Sequence, residues 1–264
     1  MMIGFIGLGN MAKAMIGGIL RQQIAKPEEI IGSSATQATR EQVADTFGIR
    51  TENSNVEVAR QAQILILAVK PVVLPPVLEE IRDYIGEDTL IISVAAGKKI
   101  SWFEERLNSP ARIVRFMPNT PALVGEGCTA VCRNQHVSEE ELEEALRLAS
   151  SFGMAEVVSE QMLDVAGAVS GASPAYVFMF IEALADAAVK AGMPRKQAYR
   201  FSSQAVMGSA KLLLETGRHP GELKDMVCSP GGTTIEGVQV LEQEGMRAAV
   251  MDAIEACLEK TKRL

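Results

Sequence analysis

The most constraining feature of this sequence is a pair of glycines close to its start. Residues 1–6 are typical of a short apolar strand, which runs directly into Gly7-Leu8-Gly9-Asn10-Met11-Ala12. In this G-x-G-x-x-A pattern the first glycine permits a tight turn, and the second lets backbone N–H groups approach a pyrophosphate. An apolar-periodic helix follows, and its positive N-terminus favours phosphate groups. The stretch therefore predicts a strand–turn–helix unit that binds a dinucleotide.

Short apolar runs alternate with helical patterns up to residue 159. Residues 64–69 form a continuous apolar run of the kind buried in a parallel sheet, and residues 90–94 form another. Small residues and a Lys-Pro pair follow these runs, and ligands of open α/β sheets lie at the carboxyl ends of the strands. The sequence predicts a Rossmann-type α/β domain over 1–159 with a mainly parallel sheet, and a helix over 71–84.

The end of the second predicted strand indicates which dinucleotide is bound. A carboxylate that holds the ribose 2′-hydroxyl is expected about 20 residues beyond the glycines of an NAD site. This chain instead has Ser33, Ser34 and Thr36 there, with Arg40 one helical turn on. Hydroxyls and an arginine suit a 2′-phosphate, which predicts NADP, with NADPH preferred over NADH. The simpler interpretation, that Ser33 and Thr36 cap the next helix, is compatible because caps also bind anions.

From residue 160 to 264 the pattern is helical throughout. Residues 176–191 are apolar nearly all round, and the exceptions Glu182, Asp186 and Lys190 fall on one stripe, typical of a solvated or salt-bridged edge. A helix this apolar needs more cover than a domain of about 100 residues supplies. We therefore expect an all-α dimerisation domain over 160–264 and a homodimer formed through these C-terminal helices.

Two loops have the composition of a binding site. Met117-Pro118-Asn119-Thr120-Pro121 holds an amide and a hydroxyl between two prolines, either as part of an active site or as a structural turn. Ser229-Pro230-Gly231-Gly232-Thr233-Thr234 opens a helix predicted over 234–241. Its backbone N–H groups and hydroxyls suit a substrate carboxylate, although Thr233 or Thr234 acting as an ordinary N-cap explains the same residues.

Composition narrows the classes of function. A net charge of −7 without a basic stripe argues against nucleic acid. The four cysteines lack the spacing of a metal site, and only two histidines are available as further ligands, so the cysteines are interpreted as buried reduced thiols. No apolar run reaches the length of a membrane span, and the fingerprint begins too early for a targeting segment, so we expect a cytoplasmic protein without a membrane partner.

Five motifs together resemble the pyrroline-5-carboxylate reductase family. They are GFIGLGNMA at 4–12, AVKP at 68–71, MPNTP at 117–121, SGASPAY at 170–176 and SPGGTTI at 229–235. The Ala172-Ser173 pair departs from the Ser-Gly that is usual in the family. The resemblance implies a Rossmann domain, a helical dimerisation domain, an active site at their junction that is completed across the dimer, and dimers that assemble in rings of five to a decamer.

The resemblance also implies which residues form the site. Glu160, Thr233 and Thr234 are expected near the substrate, and Thr234 is expected closest to the ring nitrogen. Together with the loop interpretation, this makes Asn119, Ser229, Gly231 and Gly232 candidate substrate contacts. The cofactor contacts, with Ser33 added from the strand-end reasoning, are expected to be Ile6, Gly7, Leu8, Gly9, Asn10, Met11, Ser33, Ser34, Asn55, Ala68, Val69, Lys70, Pro71, Val94, Ala95 and Ala96.

The chemistry implied is hydride transfer to the cyclic imine pyrroline-5-carboxylate, giving L-proline, the last step of proline biosynthesis. A protonated imine is already electrophilic, so the protein mainly orients two rings, and Thr234 is the candidate catalytic residue. Two alternatives remain. One is a β-hydroxyacid dehydrogenase-like reductase, for which Lys190 or Lys211 is a catalytic candidate by position alone. The other is a non-catalytic dimer that senses NADP.

Overall fold

The computed structural model describes residues 1–107 and 110–261, and within these ranges one sheet of eight strands is the central feature. The spatial order is 3-2-1-4-5-6-7-8. Neighbouring strands in the described chain are parallel except the sixth and seventh, which are antiparallel, so the predicted mainly parallel sheet is confirmed. In chain order the strands are β1 (Ile3–Ile6), β2 (Ile30–Ser33), β3 (Arg50–Glu52), β4 (Ile64–Leu67), β5 (Leu90–Ser93), β6 (Arg112–Met117), β7 (Gly127–Arg133) and β8 (Gly153–Val157).

Helices connect the strands and then continue alone to the end of the described chain. A π-helical stretch, Gly167–Ala172, joins two of them, and short 3-10 turns lie at Pro27–Glu29, Arg82–Tyr84 and Thr120–Val124. The helices are α1 (Asn10–Arg21), α2 (Gln37–Phe47), α3 (Asn55–Gln61), α4 (Leu74–Ile81), α5 (Ile100–Glu104), α6 (Glu139–Ser150), α7 (Glu160–Ala166), α8 (Ser173–Lys190), α9 (Arg195–Thr216), α10 (Pro220–Val227), α11 (Thr233–Gln243) and α12 (Met246–Thr261).

The apolar strands are buried on both faces, as parallel strands covered by helices must be. All four residues of β4 are buried, and successive side chains enter opposite cores. Ile66 belongs to the cluster that includes Met15 and Ile19 of α1. Leu67 belongs to the cluster that includes Leu78 of α4.

The described chain divides into two compact units. Within the described residues, the first comprises 1–107, 110–174 and 257–261, and the second comprises 175–256. Leu163 of α7 is buried in one of the cores of the sheet unit, so this helix packs with the sheet although it follows residue 159. The expected division into 1–159 and 160–264 stays a prediction.

The helical unit has almost no core of its own. Of its described residues, Ala185, Ala198 and Ser202 are buried. Large apolar side chains are instead exposed, among them two of α8, Phe178 (64% exposed) and Met179 (68% exposed). The helical stretch from Glu160 to Lys190 has the length and apolar composition of a membrane-crossing segment. Of an apolar 18-residue segment within it, 11% is buried. Within one chain these apolar faces are left without cover.

Two local expectations need correction, and one strand was not predicted. The helix predicted over 71–84 begins only at Leu74, because the chain first turns with Val73 N–H donating to the Lys70 carbonyl, and it ends in a 3-10 turn. The helix predicted over 234–241 is longer and begins at Thr233. Strand β3 was not predicted, because it is a three-residue polar strand at the sheet edge.

Candidate active site

The predicted cofactor residues follow strands whose ends are in register. Ile6 of β1 pairs with Ser33 of β2 and with Leu67 of β4, and Leu67 pairs with Ser93 of β5. Because these strands are parallel, the residues that follow them lie along one edge of the sheet. The structure thus brings together the glycine turn and the segments that follow β2, β4 and β5, as the sequence predicts.

The turn after β1 requires its first glycine. Gly7 has φ +95°, and a Cβ there would lie 2.7 Å from the Ala68 carbonyl oxygen. Gly7 N–H donates to the Ser33 carbonyl at 3.0 Å, and Ala68 N–H donates to the Ile6 carbonyl at 2.8 Å. A side chain at position 7 would therefore break the packing between β1 and the segment after β4.

The second glycine has a different role. Gly9 is the N-cap of α1 in an extended conformation, with φ −76° and no side-chain cap. A Cβ on Gly9 would meet nothing within 4 Å, so this glycine faces open space at the N-terminus of the helix. Ala12 is fully buried, which brings the helix close to the sheet. Uncapped N–H groups at a positive helix end with open space before them fit the pyrophosphate of a dinucleotide.

A chain of hydrogen bonds lies at the end of β2. The Ser33 hydroxyl is buried and donates to Asn55 Oδ1 at 2.7 Å. The Asn55 amide nitrogen in turn donates to Glu80 Oε2 at 2.8 Å. At the residue that follows β2, Arg40 Nη1 donates to the Ser34 carbonyl at 2.6 Å. Glu80 was missed by sequence reasoning, because it comes from α4, far along the chain.

The segments after β4 and β5 leave little side-chain volume at the same edge. Ala68 and Val94 are tied to the neighbouring strands through Ile6 and Leu67. Ala95 is buried and donates its N–H to the Ser93 hydroxyl at 3.2 Å. Lys70 is exposed. The residues predicted to contact the cofactor here are Ala68, Val69, Lys70, Pro71, Val94, Ala95 and Ala96.

Glu160 is engaged by the protein itself. Its Oε1 accepts from Arg115 Nη1 at 2.8 Å and from the Ile100 N–H at 2.6 Å. Arg115 lies in the middle of β6 and is 1% exposed, with its Nη2 3.8 Å from Asp164 Oδ1. Sequence reasoning missed Arg115, although a charged residue inside the apolar run RIVRFM was a visible signal. In the sheet unit Glu160 therefore pairs with a buried guanidinium.

Asn119 also bonds to the protein backbone. Its Oδ1 accepts from the Cys128 N–H at 2.8 Å, and its Nδ2 donates to the Ser170 carbonyl at 2.9 Å. Asn119 is buried. The amide thus fixes the loop after β6 to β7 and to the π-helical stretch. Its predicted contact with substrate stays a prediction.

The Gly-Gly-Thr-Thr loop lies in the helical unit. Gly231 has φ +66°, and Gly232 is the N-cap of α11 without a side-chain cap. Thr233 and Thr234 are the first two residues of the helix, and both are exposed. The interpretation of either threonine as the N-cap is therefore wrong. The N-terminus of α11 leaves its N–H groups and two hydroxyls open, which is the arrangement expected for an anion site.

The cysteines are free thiols, and in the described part of the chain no three His, Cys, Asp or Glu side chains are grouped to hold a metal. Burial raises the pKa of the Cys132 thiol to about 11, and the charge of the nearby Arg115 partly offsets this increase. A protonated thiol in this environment is a poor nucleophile.

The first third of the chain matches a known class of protein. Residues 2–97 match a family described as NADP oxidoreductase coenzyme F420-dependent, which agrees with the glycine turn and the parallel sheet. The fold and this match place the chain among the NAD(P)-dependent oxidoreductases. Residues 160–264 match the family described as pyrroline-5-carboxylate reductase dimerisation.

Full-length relatives identify the family. The chain is 51% identical over 262 residues to a pyrroline-5-carboxylate reductase of Escherichia coli (strain K12), covering 99% of this chain and 97% of the relative. It is 43% identical, at the same coverage, to one of Methanosarcina acetivorans. A crystal structure of Plasmodium falciparum pyrroline carboxylate reductase with NADP bound superimposes with a TM-score of 0.89, at 36% identity, covering 99% of this chain and 97% of that one.

The chain belongs to the pyrroline-5-carboxylate reductase family. The expected fold class and oxidoreductase activity are thereby confirmed, and the two alternatives, a β-hydroxyacid dehydrogenase-like enzyme and a sensing dimer, are not favoured. Because the second match is a dimerisation domain, the chain oligomerises through its C-terminal helices. This accounts for the apolar faces that the helical unit leaves without cover.

Proposed function

We propose that the protein reduces pyrroline-5-carboxylate to L-proline and uses NADPH in preference to NADH. The observation that carries this proposal is the extent of the similarity, which spans both the glycine turn and the Ser229–Thr234 loop. When bound, the cofactor supplies a hydride to the imine carbon. A proton on the ring nitrogen completes the reduction of C=N to CH–NH. The main contribution of the protein is to orient the cofactor and the imine ring relative to each other.

The glycine turn and the edge of the sheet hold the cofactor in this proposal. Uncapped N–H groups at the start of α1 bind the pyrophosphate, because Gly9 places no side chain before them. The small Ala68, Ala95 and Ala96 leave room for the nicotinamide half. The remaining contacts are Ile6, Gly7, Leu8, Asn10, Met11, Ser33, Ser34, Asn55, Val69, Lys70, Pro71 and Val94.

The preference for NADPH rests on the end of β2. Arg40 is held there by its bond to the Ser34 carbonyl, and a guanidinium suits a phosphate. Residues 33–36 include no carboxylate, so the usual partner of a free 2′-hydroxyl is absent from this stretch. Arg40 and Ser34 bind the 2′-phosphate in this proposal.

Substrate binding is proposed for the start of α11. The N–H groups of residues 231–234 hold the substrate carboxylate, and the Thr234 hydroxyl supports the ring nitrogen, which makes it the catalytic residue. Glu160 and Asn119 act near the substrate through the segments that they fix. Ser229, Gly231, Gly232 and Thr233 complete the set.

The assembly and location follow the family. We propose homodimers that combine five at a time into a decamer, in the cytoplasm, with neither a membrane nor nucleic acid as a partner. A net charge of −7 supports the last point. The domain division is proposed at residue 160, where the dimerisation match begins.

The test is a steady-state assay of the purified protein. Oxidation of NADPH and of NADH is followed with pyrroline-5-carboxylate, and reduction of NADP with a series of 3-hydroxy acids. We expect turnover of the imine alone, with a higher kcat/KM for NADPH. Turnover of 3-hydroxy acids, or cofactor binding without any turnover, would overturn the proposed activity. A higher kcat/KM for NADH would overturn the proposed preference.

A further inference from the structure

A carboxylate enters the proposed 2′ end of the cofactor site from a distant part of the chain. Glu80 lies on α4, and its Oε2 accepts a hydrogen bond from Asn55 Nδ2 at 2.8 Å. Asn55 Oδ1 accepts from the buried Ser33 hydroxyl at 2.7 Å. Ser33 ends β2, the strand after which a Rossmann site reads the ribose. Three side chains from three elements thus form one hydrogen-bonded chain at this point.

The Glu80 carboxylate fixes the direction of the hydrogen bonds that link Ser33, Asn55 and Glu80. An ionised carboxylate only accepts hydrogen bonds, so Asn55 must turn its NH₂ group towards Glu80 and its carbonyl oxygen towards Ser33. The Ser33 hydroxyl then donates its single proton to Asn55 and can only accept any further hydrogen bond. A ribose 2′-hydroxyl can donate to such an oxygen, whereas a 2′-phosphate brings acceptors only.

The charges at this end oppose each other. Arg40 is held on the Ser34 carbonyl and favours a phosphate, whereas the Glu80 carboxylate repels one. A second carboxylate is near, because Glu52 of β3 is in register with Ser33, but it lies 3.9 Å from the Arg50 guanidinium. Glu80 instead bonds to a neutral amide, so its charge is not cancelled by that partner.

We propose that Glu80 is a specificity-determining residue for the cofactor. Through Asn55 it orients Ser33 for a ribose hydroxyl, and through its charge it weakens binding of the 2′-phosphate. The preference for NADPH is thereby limited, and NADH remains a usable substrate. This inference rests on the proposed location of the 2′ end at Ser33, Ser34 and Arg40.

The test compares kcat/KM for NADPH with kcat/KM for NADH in the full-length protein at saturating pyrroline-5-carboxylate. Glu80→Gln removes the charge and keeps an acceptor for Asn55. Glu79→Gln, at the adjacent exposed position of α4, is the matched control, and Arg40→Gln probes the opposing charge. The ratio of the two constants on one preparation does not depend on the fraction folded.

We expect Glu80→Gln to raise the NADPH-to-NADH ratio by about three- to tenfold. The change should shrink at about 1 M salt, where charges are screened within about 3 Å. Arg40→Gln should lower the ratio, and Glu79→Gln should leave it within about twofold of the wild-type value. A structural role for Glu80 would change neither the ratio nor its dependence on salt.

The outcomes separate this inference from the proposed site. If Arg40→Gln lowers the ratio and Glu80→Gln does not raise it above that of Glu79→Gln, the role of Glu80 is overturned and the site stands. If neither Arg40→Gln nor Glu80→Gln changes the ratio, the 2′ end is not at β2, and both proposals are overturned.

Discussion

Arg115 and Glu160 form an ion pair in which one partner is almost completely shielded from water. Arg115 Nη1 lies 2.8 Å from Glu160 Oε1, and the side chains are 2% and 32% exposed. The pair joins the middle of β6 to the first residue of α7. The same carboxylate oxygen accepts the Ile100 N–H, so one side chain fixes three elements of the sheet unit.

Loss of that carboxylate charge should cost stability. Glu160→Gln removes the nearer counter-charge of a buried guanidinium and leaves Asp164, 3.8 Å away, as the remaining one. We expect it to lower the free energy of unfolding by about 2 kcal/mol. Urea denaturation measures the change. Glu156→Gln, at an exposed position of β8, should change the free energy by less than about 0.5 kcal/mol. Equal values for the two variants would contradict the structural role of Glu160.

The two glycines of the turn should respond differently to alanine. Gly7→Ala places a methyl group 2.7 Å from a carbonyl oxygen at φ +95° and should lower the thermal midpoint or prevent folding. Gly9→Ala meets no atom within 4 Å and should fold normally, but bind NADPH at least about tenfold more weakly. Thermal unfolding and fluorescence titration separate the effects. Normal NADPH affinity in Gly9→Ala would contradict the proposed pyrophosphate site.

Thr234 is expected to act in the reaction. Thr234→Ala should lower kcat/KM for pyrroline-5-carboxylate by about tenfold or more, because it removes the side-chain hydroxyl that is proposed to support the ring nitrogen of the substrate. Thr234→Ser keeps the hydroxyl and should retain most of the activity. Steady-state kinetics with NADPH measure both variants. Unchanged kcat and KM in Thr234→Ala would exclude the role.

Cys132 should make the fold sensitive to alkaline pH. The pKa of its thiol is about 11 in the folded protein, against an ordinary value of 9.0. Between these pH values the unfolded chain loses this proton while the folded chain keeps it, so stability falls as pH rises. The loss from this group approaches about 2 kcal/mol. Denaturation of Cys132→Ala between pH 9 and 11 should show a shallower decline than wild type. An equally steep decline in the variant would contradict this role of the thiol.

The exposed face of α8 should be needed for association. Phe178 is 64% exposed in the single chain, and Phe178→Glu places a charge on this apolar face. We expect the variant to sediment as smaller species than wild type in analytical ultracentrifugation. Gln22→Glu adds the same charge at the exposed C-cap of α1 in the sheet unit and should sediment like wild type. A wild-type assembly in Phe178→Glu would contradict the role of this face.

Much of the sheet unit could be predicted from the sequence, because its signals are local. The glycine pair requires a turn before a helix, and the buried strands at 64–67 and 90–93 are continuous apolar runs. Strand β3 gave no such signal, since three polar residues at an edge have no pattern. The start of α4 was misplaced because prolines mark the first turn of a helix as readily as the loop before it.

The sequence predicted which strand ends share one edge of the sheet, but it predicted side-chain proximity only between residues that are close in the sequence. Ser33 ends β2 and Arg40 lies in the first turn of the next helix, so their proximity follows from their spacing in the sequence. Glu80 and Arg115 come from other elements, and the sheet order alone brings them to Asn55 and Glu160. The absence of an acidic residue after β2 therefore did not mean the absence of a carboxylate at that position in space.

The small interior of the helical unit has a consequence for how the protein responds to dilution. With Ala185, Ala198 and Ser202 as its buried residues in the described chain, this unit gains little from folding alone, so most of its stability comes from the partner subunit. Folding and assembly then form one equilibrium governed by mass action. The melting temperature should rise with protein concentration, and the quantity of enzyme in a cell sets how much of it is folded as well as how much is present.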